Sequence, residues 1–277
     1  MQLQFTMKVV QSGLLMLFLW SGLKAQSIPE SWDTYVFPLN GRPVSVMLNM
    51  ALKERATGLN RPYAVILRTK YPDVDASGFP GESDRHTLDT MENQLEEAIR
   101  ESNGGIYAGR FTQRGLREFY FYVLDTVDIV PRCTEVMANF PRFAWLAKVV
   151  YDRNWTNYME VLYPSGPELE KMENLKMIRT LQKKGDDLGR VRKIEHTLYF
   201  RVAANRRSFL IDPALQGFNV SEMPVERSAT DDYPYQLIIW KHDKPELTRM
   251  NTITRMLTVV AGKYGGRYEG WKTFVSK

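Results

Sequence analysis

The chain has 277 residues, of which 44% are hydrophobic, 25% charged and 12% aromatic, with a formal net charge of +5. These proportions exclude disordered, collagen-like and low-complexity proteins, and the length suffices for one large or two ordinary domains with real cores. A single cysteine, Cys133, excludes an internal disulfide framework and a zinc site built from cysteine pairs, and three scattered histidines (His86, His196, His242) exclude a histidine-rich metal centre.

The first element in chain order reads as a leader over residues 1–25. Lys8 precedes an apolar run that hardens into Leu14-Leu15-Met16-Leu17-Phe18-Leu19-Trp20, and Ala25 offers a small residue before Gln26. A short basic region, an apolar stretch of about 7–15 residues and a small residue at the cut describe a secretory signal peptide. The run is shorter than the roughly 20 apolar residues a membrane-spanning helix needs. Translation can start at Met1 or at Met7. The mature chain is therefore expected to be exported, periplasmic or secreted, with no membrane span. Charge divides unevenly along it: residues 26–164 carry 15 basic and 18 acidic side chains, and residues 165–277 carry 20 and 14. Opposite signs on either side of one point suggest two units.

In the first unit, Thr34–Phe37 and Val44–Asn49 read as strands around the Asn40-Gly41 turn, and Tyr63–Thr69 as a third. Ser83 is placed to cap a helix with Leu88, Met91, Leu95, Ala98 and Ile99 on one face, stopped by Asn103-Gly104-Gly105. Ile106–Thr112 and Glu118–Leu124 form a hairpin around Arg114-Gly115. A helix over Val127–Asn139 and a strand over Ala144–Asp152 follow. The cluster Tyr163-Pro164-Ser165-Gly166-Pro167 is the linker candidate.

In the second unit a lead helix spans Pro167–Lys184. Then come a strand over Arg190–Val202, a short helix near Asn205–Leu215, and strands over Phe218–Glu226 and Tyr235–Lys241. Asp243, Pro245 and Glu246 resemble a capping box ahead of a long helix lined by Leu247, Met250, Leu257 and Val260, and Arg267–Val275 is the last strand. Both units thus read βαββαβ. The expected class is α+β, two ferredoxin-like sandwich modules in tandem over 26–164 and 165–277, the first with an added N-terminal hairpin.

Four short motifs in the second unit carry a family resemblance: Gly185-Asp186-Asp187, Arg192-Lys193-Ile194-Glu195-His196, Gly217-Phe218-Asn219-Val220 and Tyr268-Glu269-Gly270-Trp271. In this order and spacing, residues 167–277 resemble the regulator of ribonuclease E activity B. The upstream half is similar to an uncharacterised bacterial domain of unknown function, through Trp32, Gly41-Arg42-Pro43, the Leu88–Glu92 helix and Arg117-Glu118-Phe119-Tyr120-Phe121-Tyr122. The resemblance implies a small ferredoxin-like protein that binds and inhibits another protein without catalysis of its own.

Glu195-His196 is the one pair with acid–base potential, and a hydrolase using both in a cleft between modules is the alternative function. Neighbours on a strand point to opposite faces, which weighs against it. Tyr268 and Trp271 are candidate partner anchors alongside Glu195 and His196, with packing across the sheet as the competing reading. Trp32, Trp155 and Trp240 share that ambiguity. Cys133 reads as packed core, Arg206-Arg207 as a solvated helix face, and Asp186-Asp187 and Asp231-Asp232 as turns rather than cation sites. Gly262-Lys263-Tyr264-Gly265-Gly266 follows a helix and precedes a strand, which is the wrong order for a phosphate loop. Asn154-Trp155-Thr156 and Asn219-Val220-Ser221 match glycosylation acceptors by composition alone. No cofactor and no metal are expected. Nucleic acid is not favoured as a partner, because the basic residues are spread along the segment without a stripe. The leading expectation is a non-enzymatic protein that binds a protein partner through a sheet face or strand edge.

Overall fold

The computed structural model describes residues 30–221 and 232–277. The leader at 1–25 and Asp231 lie outside the described residues, as does the stretch 222–226 of the expected strand Phe218–Glu226. The fold is α+β, with two antiparallel sheets and helices laid against them.

The first sheet contains β1 (Trp32–Leu39), β2 (Arg42–Asn49), β3 (Tyr63–Lys70), β4 (Ile106–Gln113), β5 (Leu116–Val123) and β6 (Ala144–Tyr151), in the order β1-β2-β4-β5-β3-β6. Two hairpins fix its register. Asn40 and Gly41 take φ of 52° and 74°, and Arg114 and Gly115 take 46° and 78°. Paired positive φ values are those of a two-residue turn whose twist matches the strands it joins. Helix α1 (Glu82–Asn103) separates β3 from β4, and α2 (Ile129–Met137) separates β5 from β6. On α1, Leu88, Met91, Leu95 and Ile99 recur at helical spacing and are fully buried against Val65, Leu67, Phe119 and Phe121 of the sheet. The helix ends where Gly104 turns left-handed and the Gly105 amide donates to the Ile99 carbonyl at 3.1 Å. Its N-cap is Gly81, not Ser83. Cys133 sits in the same core, where burial pushes its thiol up to about 11.

The other face of this sheet is closed by a π-helical turn over Asn157–Leu162, which periodicity did not reveal. Asp152 organises it: its carboxylate accepts from the Thr156 and Asn157 amides, the Asn157 side-chain amide and the Tyr122 hydroxyl, at 2.7–2.9 Å. Those donors hold the Asp152 carboxyl below its ordinary value although burial opposes them. Trp155 follows at φ 57°, a left-handed conformation that a bulky side chain adopts only when its surroundings compel it. Burial supplies the compulsion. The indole is fully buried, parallel to the Tyr122 ring at 3.7 Å, among Tyr158, Leu162, Val46 and Leu48.

The second sheet contains β7 (Arg192–Phe200), β8 (Asn219–Val220), β9 (Tyr235–Asp243) and β10 (Gly266–Lys272), in the order β10-β7-β9-β8. The strands β6-β3-β5-β4 of the first sheet follow the same pattern: last, first, third, second in chain order. Helix α3 (Gly166–Lys183) leads into this unit, α4 (Ala203–Leu210) joins β7 to β8, and α5 (Leu247–Lys263) joins β9 to β10. Helix α4 begins two residues before the expected span and gives way to a 3-10 turn over Pro213–Leu215. The capping box ahead of α5 does not form. Glu246 makes no capping bond, while Asp243 pairs with Lys241 and Arg249 and accepts from the Lys244 amide. Strand β10 stops at Lys272 rather than Val275.

Helix α3 touches both cores. Met172 packs into the cluster around Trp155, and Ile178 and Leu181 pack with Ile194, Met250 and Trp271. The linker candidate is thus a short bend between two anchored elements, with Tyr163 against the first core and Pro167 at the start of α3. Replacing Trp155 by alanine removes the side chain that fills that core, and should cost about 3–5 kcal/mol, read as a lower urea midpoint at unchanged slope.

Candidate functional site

The expected site residues fall on β7 and β10, whose pairing decides which of them meet. Along β7, Ile194, His196, Leu198 and Phe200 face the helices, and Lys193, Glu195, Thr197 and Tyr199 face away from them. Glu195 and His196 therefore lie on opposite sides of the sheet. Glu195 is held between Lys193 and Lys272 at 2.6 and 3.2 Å, and their hydrogen bonds, Lys193 first, keep its carboxyl below its ordinary range. His196 is fully buried, with Nδ1 3.0 Å from the Tyr268 hydroxyl and the Phe218 ring edge-on at 5.7 Å. Burial, reinforced by Lys241 and opposed by Asp243, lowers its pKa to about 3. The imidazole is neutral at any ordinary pH. With their side chains on opposite faces of β7, Glu195 and His196 form no acid–base couple.

Tyr268 and Trp271 do come together, and a bulge is the reason. Three residues apart on a regular strand, they would face opposite ways. The β10–β7 register shifts between Tyr268 and Gly270, so that Tyr268 pairs with Leu198 and Trp271 with His196, both inward. Gly270 takes φ 152°, which a side chain rarely permits, so the glycine is what lets the extra residue be absorbed. The Trp271 indole donates to Asn174 Oδ1 at 2.8 Å, and the Asn174 amide donates to Asn251 and Thr254 at 2.9 and 2.8 Å. This network ties β10 to α3 and α5.

Between those three elements lies a groove of about 440 Å³. Its floor is Asn174, Tyr268 and Trp271, and Glu170, Glu173 and Glu269 stand on its walls with Met177. Glu170 is shared with Arg255 at 3.6 Å and Glu269 with Arg267 at 3.5 Å. Burial, then the Glu170 carboxylate, raises the Tyr268 phenol well above its ordinary value, so it stays protonated. Aromatic floor and acidic walls suit a cationic side chain. Strand β10 is an edge of its sheet, so its outer backbone groups border the same groove.

The remaining candidates are structural. Asp186 is buried, bonded to Arg192 at 2.6 Å and to the Ser276 amide at 2.9 Å, so the Gly185-Asp186-Asp187 turn pins the end of the chain. Arg206 is not merely solvated: it donates to the Gln236 carbonyl at 3.2 Å and lies over Tyr235. Trp32 rests on Tyr107, and Trp240 lies on the outer sheet face under Lys193. Among the described residues no group of three or more His, Cys, Asp or Glu side chains could hold a metal, and no helix is long and apolar enough to cross a membrane.

Sequence reasoning missed Asn174, Glu170 and Glu173, because only tertiary packing sets α3 against β10. The depressed His196 value has a sign that can be checked. The unfolded ring titrates near 6.5 and the folded ring near 3, so its contribution is complete above pH 6.5 and falls on acidification toward pH 3. Denaturant unfolding should lose about 2 kcal/mol from this residue between pH 7 and pH 5. His196→Phe should flatten that slope.

Residues 30–163 match the family of unknown function DUF695, and residues 171–273 match the family Regulator of ribonuclease activity B. No curated protein matches the chain. One solved structure, an unknown protein from Galdieria sulphuraria, is 10% identical over 75% of this chain and 96% of that one, with a TM-score of 0.19, too loose a superposition to bear on fold or function. The chain thus carries two family segments in series, its N-terminal half similar to the family of unknown function and its C-terminal half to the regulators of ribonuclease activity B.

Proposed function

We propose that this protein is a non-catalytic regulator that binds a protein partner in the groove between α3, α5 and β10. The observation that carries the reading is the bulged edge strand, which sets Tyr268 and Trp271 at the floor of a cavity walled by three carboxylates. A partner segment laid along β10 would gain main-chain hydrogen bonds from the edge and place a lysine or arginine between Glu170, Glu173 and Glu269. The match to a family of ribonuclease regulators, which act on a protein, supports the same direction. The matching strand order of the two sheets supports reading both as ferredoxin-like modules, divided near residue 164. The hydrolase alternative has no such support, since Glu195 and His196 face away from one another.

The test is photo-crosslinking from a probe residue replacing Thr258 on the groove wall, with the captured partner identified and its contact segment mapped. A segment rich in lysine or arginine is expected. The double variant Glu170→Lys, Glu173→Lys should weaken that capture at least ten-fold at unchanged far-ultraviolet dichroism. Capture undiminished in this variant would overturn the groove as the site.

The leader over residues 1–25 makes the functional protein an exported one within this proposal. The chain recovered from the periplasm or medium should have an intact mass that begins at Gln26, and recovery only from the cytoplasm with the leader attached would exclude export.

A further inference from the structure

The face of the second sheet that points away from the helices is built differently from the groove. Among the described residues the apolar clusters on this sheet draw on the inward set, while on the outer side Lys193, Glu195, Thr197, Ile238 and Trp240 are half-buried and Tyr199 is buried beneath Arg267. Strand pairing arranges that side in rungs. Glu195 stands beside Lys272 and Trp240, with Asn219 next to Trp240; Thr197 stands beside Gly270 and Ile238; Tyr199 stands beside Arg267 and Gln236. Lys193 and His242 pair at one end. At the other, Arg201 lies over the Tyr233 ring at 4.9 Å.

The chemistry of the face is cationic and aromatic together. Lys193 lies over Trp240 at 5.0 Å, and Arg267 lies over Tyr199 at 5.4 Å and over Tyr233 at 5.1 Å. Lys193, Lys272, Arg267 and Arg201 outnumber the two carboxylates near them, Glu195 and Glu269. The cations come from two separated stretches of sequence, 193–201 and 267–272, and are brought together by the pairing of β10 with β7. Trp240 and the Tyr199–Tyr233 pair stand two rungs apart along the strands, about 13 Å, with the flat rung Gly270-Thr197-Ile238 between them.

We propose that this outer face is a binding platform for single-stranded nucleic acid. Bases would stack on Trp240 and at the Tyr233 end, and phosphates would be met by Lys193, Lys272, Arg267 and Arg201. A four-stranded sheet with aromatic rings and cations on the face away from its helices is a sequence-tolerant arrangement for single strands, because every base has a π-face and every nucleotide a charge. Duplex DNA offers no exposed base faces to such a surface. An acidic polypeptide would meet the cations but has no use for the rings.

The test is fluorescence anisotropy of the full chain with labelled 12-nucleotide oligouridylate, the same length of oligothymidylate, a 12-base-pair duplex and a 12-residue polyglutamate. Single strands are expected to bind at least ten-fold more tightly than duplex or polyglutamate, with affinity falling as salt rises. Trp240→Ala should weaken binding roughly ten-fold. Lys193→Glu with Lys272→Glu should weaken it further, and Glu170→Lys with Glu173→Lys in the groove should not weaken it. No binding at low salt, equal binding of duplex, or equal binding of polyglutamate would each overturn the proposal. Because the two pairs of charge variants lie on opposite sides of the sheet, failure here leaves the protein-binding groove standing, and failure there leaves this face standing.

Discussion

The second sheet is governed by the alternation of side chains across it, and by the one place where that alternation is broken. A strand gives each successive residue to the opposite face, so a run such as Arg192–Phe200 sorts itself into a buried row and an outer row without further instruction. His196 and Glu195 are separated by that rule alone. The extra residue at the β10 bulge overrides it once, turning Tyr268 and Trp271 to the same side. The groove, the Asn174 network and the contact of β10 with both helices follow from that single shift.

Two surfaces of opposite character result. Inside the edge, carboxylates from α3 and β10 surround aromatic rings; on the outer face, lysines and arginines cover them. Buried polar side chains between them tie the elements together, although His196 Nε2 and Arg192 Nε have no partner among the described residues. Asn174 meets three partners, and Asp186 ties Arg192 to the end of the chain. Such networks fix which helix lies against which strand, since a half-satisfied buried amide is costly. In the first sheet Asp152 has the corresponding part, gathering four donors and holding Trp155 in a conformation it would otherwise avoid.

Much of the fold was legible from local signals. The α1 stripe, the two positive-φ hairpins and the β-branched strand Tyr63–Lys70 each carry their periodicity or turn chemistry within a short window. The errors fall where tertiary contacts override local preference. The π-helical turn at Asn157–Leu162 has no periodic signature, being held by a carboxylate and a buried indole from outside it. The expected caps of α1 and α5 do not form because α1 already starts at Glu82 behind an extended Gly81, leaving Ser83 inside its first turn, and Asp243 serves Lys241 and Arg249. For the site, Tyr268 and Trp271 could be singled out by their glycine-flanked setting, whereas Glu170, Glu173 and Asn174 could not. Their role exists only because α3 packs beside β10.

The amino-acid order by itself determined the α+β class, the sequence of strands and helices, and the likeness of each half to a family, because these rest on patterns a few residues long. It also determined that Glu195 and His196 would part, since parity along a strand is a covalent matter. The tertiary structure decided what those patterns leave free: that α3 seats side chains in both cores, that a bulge reverses the parity of Tyr268 and Trp271, and that cations far apart in the chain share one face. Each depends on the register between strands and on helix packing, which arise from contacts across the chain.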